Sequence, residues 1–288
     1  MMDKRPSLIG FVKEVYLIWV TEKPNQLAAA LAYFGMFSFT AAIYLAFRIA
    51  GIFIDEVAAA EQFYSRISTA FGSEVATFIQ DSVSATSAAN TGGSLIVSVV
   101  SLISLLLAAM GIFLQIKYVL NRIWGVPLTQ RGQKLAPLRQ RLFAFIMVIA
   151  LGLLVILITL VNVALAWFGS IIDEYIAVSN LLLLTINILA LLGIYVLAHA
   201  FIYKVLPDVK LTWRDVWPGS IAATLLMAIG GLVIMLYFRF GGVNSAFEAA
   251  GAFAVIIIAI YYFAQIFLMG AIITRVYARR IGSMQESS

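Results

Sequence analysis

The residues of this sequence that could do chemistry are few. Arg48 interrupts a long uncharged run, about six residues from its outer end if that run crosses a membrane, which is roughly 9 Å of helix at 1.5 Å per residue. An arginine in a spanning helix costs about 2.5–3.5 kcal/mol at its centre, so it implies either a function or an escape route. The guanidinium can snorkel to the outer headgroups, or it can contact a lipid or substrate. Arg239 and Glu248 flank a short turn. They can pair to close a helix hairpin. Alternatively Arg239 joins Arg48 in a basic outer mouth for phosphates or carboxylates.

Uncharged polar residues are as sparse. Asn162 and Asn187 fall in the outer halves of two successive apolar runs. They can hydrogen-bond across a helix interface or line a polar path with Arg48. Gln115, His199 and Gln265 lie nearer the other end of their runs. His199 can be a hydrogen-bonded structural residue or a proton carrier. Gln265 joins Arg48, Arg239, Asn162 and Asn187 as a substrate-binding candidate. The small residues Ala28, Ala32 and Gly35, and Gly219 with Ala223, form stripes suited to close helix packing. Gly230-Gly231 is a weak point in its run. Glu248, Gly35, Trp124, Gly219 and Gly270 are the packing candidates.

The same inventory excludes several functions. There is no Cys and only one His, so thiolate sites and paired-histidine zinc sites cannot form within the chain. Phosphodiester hydrolysis commonly needs clustered metal-binding carboxylates and histidines. The carboxylates predicted inside, Asp3, Glu14, Glu22, Asp208, Asp215 and Glu286, are scattered. No catalytic residue, metal or cofactor is expected, and the chain reads as a non-enzyme.

The elements that must position these residues are membrane helices. The sequence is 63% hydrophobic and 11% charged, with mean hydropathy +1.01, whereas soluble domains carry roughly 25% charged residues. Six uncharged runs, 24–47, 82–116, 142–172, 175–203, 216–238 and 249–274, each suit one crossing of about 20 residues. In lipid the backbone must satisfy itself, which favours helices, and the runs lack the alternation of barrel strands. The predicted fold is an all-α membrane protein with six transmembrane helices, at about 27–54, 94–118, 142–169, 178–203, 216–238 and 249–274. With the N-terminus cytoplasmic, 16 of the 19 Lys and Arg residues fall inside and only Arg66 and Arg239 outside. The positive-inside rule therefore puts both termini in the cytoplasm.

Other segments flank the spans. Residues 1–24 form a cytoplasmic interfacial helix, with Leu8, Phe11, Val12, Val15, Tyr16 and Trp19 at helical spacing and Pro24 breaking the chain. No cleavable signal peptide is expected, and the first span serves as signal-anchor. In the first outer segment, Phe63, Ile67, Phe71, Val75 and Ile79 recur every fourth residue, and Gly72-Ser73 divides it into two amphipathic helices. These either lie on the outer leaflet or cap the bundle. Residues 25–280 form one transmembrane domain, and 281–288 a disordered cytoplasmic tail. The basic inside loops suit anionic lipid headgroups rather than nucleic acid.

Ala28-Ala29-Ala30-Leu31-Ala32-Tyr33 followed by Phe37-Ser38 resembles the opening of the YihY/BrkB family of bacterial inner-membrane proteins. Asn121-Arg122-Ile123-Trp124 resembles its Asn…Trp element. Leu206-Pro207 with Trp213, Ala250-Gly251-Ala252 and Gly270-Ala271 fit its C-terminal half. The resemblance covers roughly residues 10–280. It implies six spans, termini inside, and a multi-pass inner-membrane location. Members are linked to serum resistance and to passage of lipid A precursors across the inner membrane; an older label, ribonuclease BN, is regarded as a misassignment. Two positions depart from the family pattern: Ala41 and Ala42 stand where it often has Pro, and Ile272 where it often has Glu.

Residues and resemblance together suggest a transporter or flippase of an anionic lipid-like substrate. The alternatives are a non-catalytic scaffold for envelope assembly and a small-solute channel, which would need oligomerisation. The sequence leaves the oligomeric state open.

Overall fold

A computed structural model describes residues 8–52, 55–91, 95–127, 180–240 and 249–284, with scattered helical residues between 146 and 161. All regular structure among the described residues is helical. In chain order the helices are α1 (Leu8–Glu22), α2 (Pro24–Ala50), α3 (Glu56–Phe71), α4 (Ser73–Thr91), α5 (Leu95–Ile123), α6 (Asn180–Val205), α7 (Trp213–Phe240) and α8 (Ala249–Arg280). Three stretches, Thr185–Val205, Trp213–Leu236 and Ala254–Arg280, are long and apolar enough to cross a membrane. The two halves of α2, Pro24–Met36 and Thr40–Ile49, make a fourth if taken as one span bent by 58°. The third predicted span, 142–169, falls largely outside the described residues, as does the basic loop from 128 to 145.

Local sequence sets the joints. Lys23 takes a left-handed φ of 49°, and Pro24 opens α2, where its missing N–H costs nothing. The chain breaks at Gly72, whose φ of 96° an L side chain rarely adopts. Asp55 caps α3 by accepting from the Val57 N–H. Thr212-Trp213-Arg214-Asp215 is a capping box opening α7, with the Asp215 carboxylate returning to the Thr212 N–H at 2.7 Å.

Helix ends differ from the expected boundaries. The first span was expected to reach residue 54, but α2 stops at Ala50, so Arg48 lies in its last turn rather than a turn and a half deep. Conversely, α5 runs on to Ile123 and α8 to Arg280. Each passes through basic residues that end the uncharged runs.

Packing is centred on α2 and α8. The α2 helix lies against α5 and α8, α8 against α7, and α7 against α6. Ala28 and Ala32 are buried, and Gly35 faces Ile260 of α8 and Ile112 of α5. Two apolar clusters mark the two ends. One joins Leu27, Leu120, Ile123, Tyr203, Leu206 and Leu268 among others. The other joins Ile43, Phe47, Val75, Ile79, Val83 and Ile256, with Phe63 and Ile67 packed against it. The α3–α4 pair therefore caps the bundle instead of lying on a leaflet.

The α1 helix forms where helical spacing predicts it, and its apolar residues face two ways. Phe11, Val15, Ile18 and Trp19 pack on the first cluster, while Leu8, Ile9, Val12, Tyr16 and Val20 are exposed. An apolar arc this wide serves two surfaces. Through Phe11, Val15, Ile18 and Trp19, α1 shares the core of the bundle. Its partner is α8, so the first and last helices meet at the same end of the bundle.

Candidate functional site

The two ends of the bundle are built in opposite ways. At the end shared by α1 and the close of α8, polar groups tie the helices together. Lys117 Nζ lies 2.8 Å from Asp208 Oδ1, and Asn121 Nδ2 donates to Asp208 Oδ2 at 2.8 Å. The Asp208 N–H donates back to Asn121 Oδ1 at 2.7 Å. Lys204 Nζ donates to the Leu211 carbonyl at 3.0 Å and sits 5.0 Å over the Trp213 ring, a cation–π contact. Fully buried Asp215 accepts from the Ser283 N–H at 2.9 Å and its hydroxyl at 2.5 Å. Arg275 donates to the Ile123 carbonyl and lies 3.4 Å from Glu22, and Arg280 pairs with Glu14.

Among the described residues, the concavity at this end is a shallow one of about 480 Å³ on the outer face of α1, lined by Leu8, Ile9, Val12, Lys13 and Tyr16. Gly125 turns the chain out of α5 at a φ of 68°, against Arg275. Two buried donors there, Trp124 Nε1 and Arg275 Nε, have no partner among the described residues. Deeper in the bundle, His199 Nδ1 lies 2.8 Å from the Tyr195 carbonyl and 3.0 Å from Thr224 Oγ1. A carbonyl only accepts, so Nδ1 carries the proton. The Tyr203 hydroxyl donates to the Phe267 carbonyl at 2.6 Å.

The other end is open. A groove of about 360 Å³ lies between α2, α3 and α4. Tyr44, Phe47 and Tyr64 give it aromatic walls, and Glu56, Glu61 and Gln80 supply polar groups. Phe47 meets Tyr64 edge-on with ring centroids 5.9 Å apart. Burial raises the Tyr64 pKa, which keeps its hydroxyl protonated. Beside the groove, Arg48 Nη1 pairs with Glu56 Oε2 at 3.1 Å, with 60% and 39% of the two side chains exposed.

The candidate binding residues do not converge among the described residues. Arg48 is placed against Glu56. Arg239 lies in the last turn of α7, with its side chain outside the described residues, and Asn162 and Glu248 lie outside them altogether. Asn187 on α6 and Gln265 on α8 are half-buried. The basic mouth formed by Arg48 and Arg239 is therefore not visible, and the charged groups lining the groove itself are carboxylates.

Of the packing candidates, Gly219 and Gly270 face each other, while Gly35 on α2 faces α5 and α8. A Cβ on Gly219 would strike Thr274 Oγ1 and the Gly270 carbonyl, and one on Gly270 would strike the Tyr203 hydroxyl and come within 2.7 Å of Ala223 Cβ. Gly230 likewise faces the Tyr262 ring, at 2.6 Å from a Cβ built there, whereas Gly231 faces open space. Trp124 is buried in the first cluster.

Sequence reasoning missed the ties made by Lys117, Asp208, Asp215 and Arg275: it counted the two basic residues toward topology and weighed the two acids as scattered carboxylates. One local signal was available, the Thr-x-x-Asp capping box at 212–215.

No curated protein and no solved structure matches the chain. The Virulence factor BrkB family model matches residues 19–288. Of the residues that carry the resemblance, Asn121, Trp124, Leu206 and Trp213 lie at the tied end of the bundle. The chain belongs to the Virulence factor BrkB (YihY/BrkB) family of membrane proteins.

Proposed function

We propose that the protein is a transporter or flippase of lipid-like amphipaths in the bacterial inner membrane. One observation carries this reading: among the described residues, ionic and hydrogen-bonded contacts tie the helices together at one end, and a groove with aromatic and polar lining lies at the other. A carrier holding a single substrate site must close one side while the other is open. The groove's mixture of aromatic wall and polar rim suits a molecule that is part apolar and part charged. The reading is of a carrier that makes and breaks no covalent bonds.

We further infer six spans with both termini cytoplasmic. The distribution of basic residues and the meeting of α1 with α8 at one end support this, since an even number of crossings returns the chain to its starting side. The tied end is then the inner end. Arg122, Lys210 and Arg214 are exposed there and suit anionic headgroups.

The test is translocation of fluorescent phospholipids in proteoliposomes. The expected result is a rate above that of protein-free vesicles, altered when Asp208→Asn loosens the inner end. A rate equal to protein-free vesicles overturns the transport reading and leaves the scaffold.

A further inference from the structure

The outer groove has a chemistry of its own, and it differs from the basic mouth expected of Arg48 and Arg239. Its lining contributes two carboxylates, Glu56 and Glu61, and three aromatic rings, Tyr44, Phe47 and Tyr64. Aromatic faces attract cations through their quadrupole, and carboxylates add Coulombic attraction to the same charge. The surrounding outer helices strengthen that preference. Asp55, Glu74 and Asp81 are exposed on α3 and α4 or at their start, against Arg66 as the basic residue of that segment. An anion alone would meet net repulsion here.

Arg48 supplies the complementary half. It is not a lining residue of the groove, but its guanidinium is held 3.1 Å from Glu56, which is. Both side chains are well exposed, and such pairs are worth little, about 0–1 kcal/mol, so a better partner displaces either one. A group carrying a positive and a negative charge close together can exchange with this pair, its cation taking Glu56 and its anion taking Arg48. The floor beneath is apolar. Phe47 is 4% exposed, and Phe63 stands against it at 5.5 Å between centroids.

We propose that the groove between α2, α3 and α4 binds a zwitterionic amphipath, with an ammonium held by Glu56, Glu61 and the aromatic walls and an adjoining phosphate held by Arg48. The assignment rests on the carrier reading and narrows its substrate class from lipid-like amphipaths to zwitterionic ones. Binding and translocation are separate measurements, so the two can fail independently.

The test is binding of phosphatidylethanolamine and phosphatidylglycerol, with identical acyl chains, to the purified full-length protein, followed by native mass spectrometry. Dodecyltrimethylammonium, which has the cation without the phosphate, is the third probe. The expected result is that Glu56→Gln with Glu61→Gln weakens phosphatidylethanolamine and dodecyltrimethylammonium about tenfold and does not weaken phosphatidylglycerol. Arg48→Ala should weaken phosphatidylethanolamine several-fold but not dodecyltrimethylammonium. All the substituted side chains are partly or fully exposed, and an unchanged thermal midpoint verifies folding. Equal affinity of wild type and the double glutamine variant for phosphatidylethanolamine overturns the proposal, as does a parallel loss of phosphatidylglycerol. Headgroup-selective binding without translocation upholds the site and removes the transport reading.

Discussion

Asn121 and Asp208 exchange two hydrogen bonds across 87 residues of sequence, the amide donating at 2.8 Å and accepting at 2.7 Å. Asn121 is 2% exposed, so its amide has no water as an alternative, whereas Asp208 is partly exposed and is also held by Lys117. Asn121→Ala should cost about 1–3 kcal/mol, the penalty for stranding a part-buried partner, and lower the thermal midpoint in detergent. Asn121→Asp, of the same shape, should lower it further by setting a second carboxylate against Asp208. A midpoint unchanged in both variants contradicts this role.

Gly219 and Gly270 stand back to back where α7 crosses α8. Gly219→Ala and Gly270→Ala each force a methyl into backbone or buried hydroxyl, and should destabilise by about 1–3 kcal/mol. Gly193 and Gly231 have nothing within 4 Å of the same position among the described residues. Alanine there should be neutral or stabilising by about 0.5–1 kcal/mol, because it restricts the unfolded helix. Thermal midpoints of the four variants separate close approach from a general dislike of alanine.

The Tyr203 hydroxyl is buried and bound to the Phe267 carbonyl. Tyr203→Phe keeps the ring packed against Phe267 and removes only that bond. A loss of about 0.5–1.5 kcal/mol is expected in chemical denaturation.

Arg48 and Glu56 are exposed partners, so a double-mutant cycle to alanine should give a coupling of about 0–1 kcal/mol. A coupling of several kcal/mol would mean the pair is structural, and would argue against its displacement by a ligand.

The absence of Cys from the sequence permits clean single-cysteine labelling. With a membrane-impermeant maleimide on intact cells, Arg66→Cys should label, whereas Arg214→Cys should label only after permeabilisation. The reverse pattern would invert the topology.

The sequence showed the helices more clearly than their ends. Uncharged runs locate apolar helix centres well, because lipid and core alike exclude charge. They misplace boundaries wherever a charge is paired. Arg275 appeared to end the last run, yet α8 continues five residues further because Arg275 meets Glu22 and Arg280 meets Glu14. Lys117 and Arg122 were likewise passed by α5. Conversely, Gly51 and Ile52 sit in an uncharged stretch but form a turn beyond α2. Joints with a local cause, at Pro24, Gly72 and Thr212, were open to reading from neighbouring residues alone. The groove was not, because it arises only when Phe47 on α2 meets Tyr64 on α3 and Gln80 on α4 comes alongside. The sequence identified Arg48 as the residue needing an explanation, and its partner proved to be the acid eight residues on.

The clasp between α1 and α8 bears on how the chain is made. Helix α1 emerges from the ribosome first and α8 among the last, yet Phe11, Val15 and Trp19 and the carboxylates Glu14 and Glu22 find their partners when α8 is in place. During synthesis the inward face of α1 stays uncovered until α8 arrives. Completion of the final helix is thus the event that seals the fold, and a chain cut short before Arg275 would expose an apolar, acidic flank to quality-control proteases.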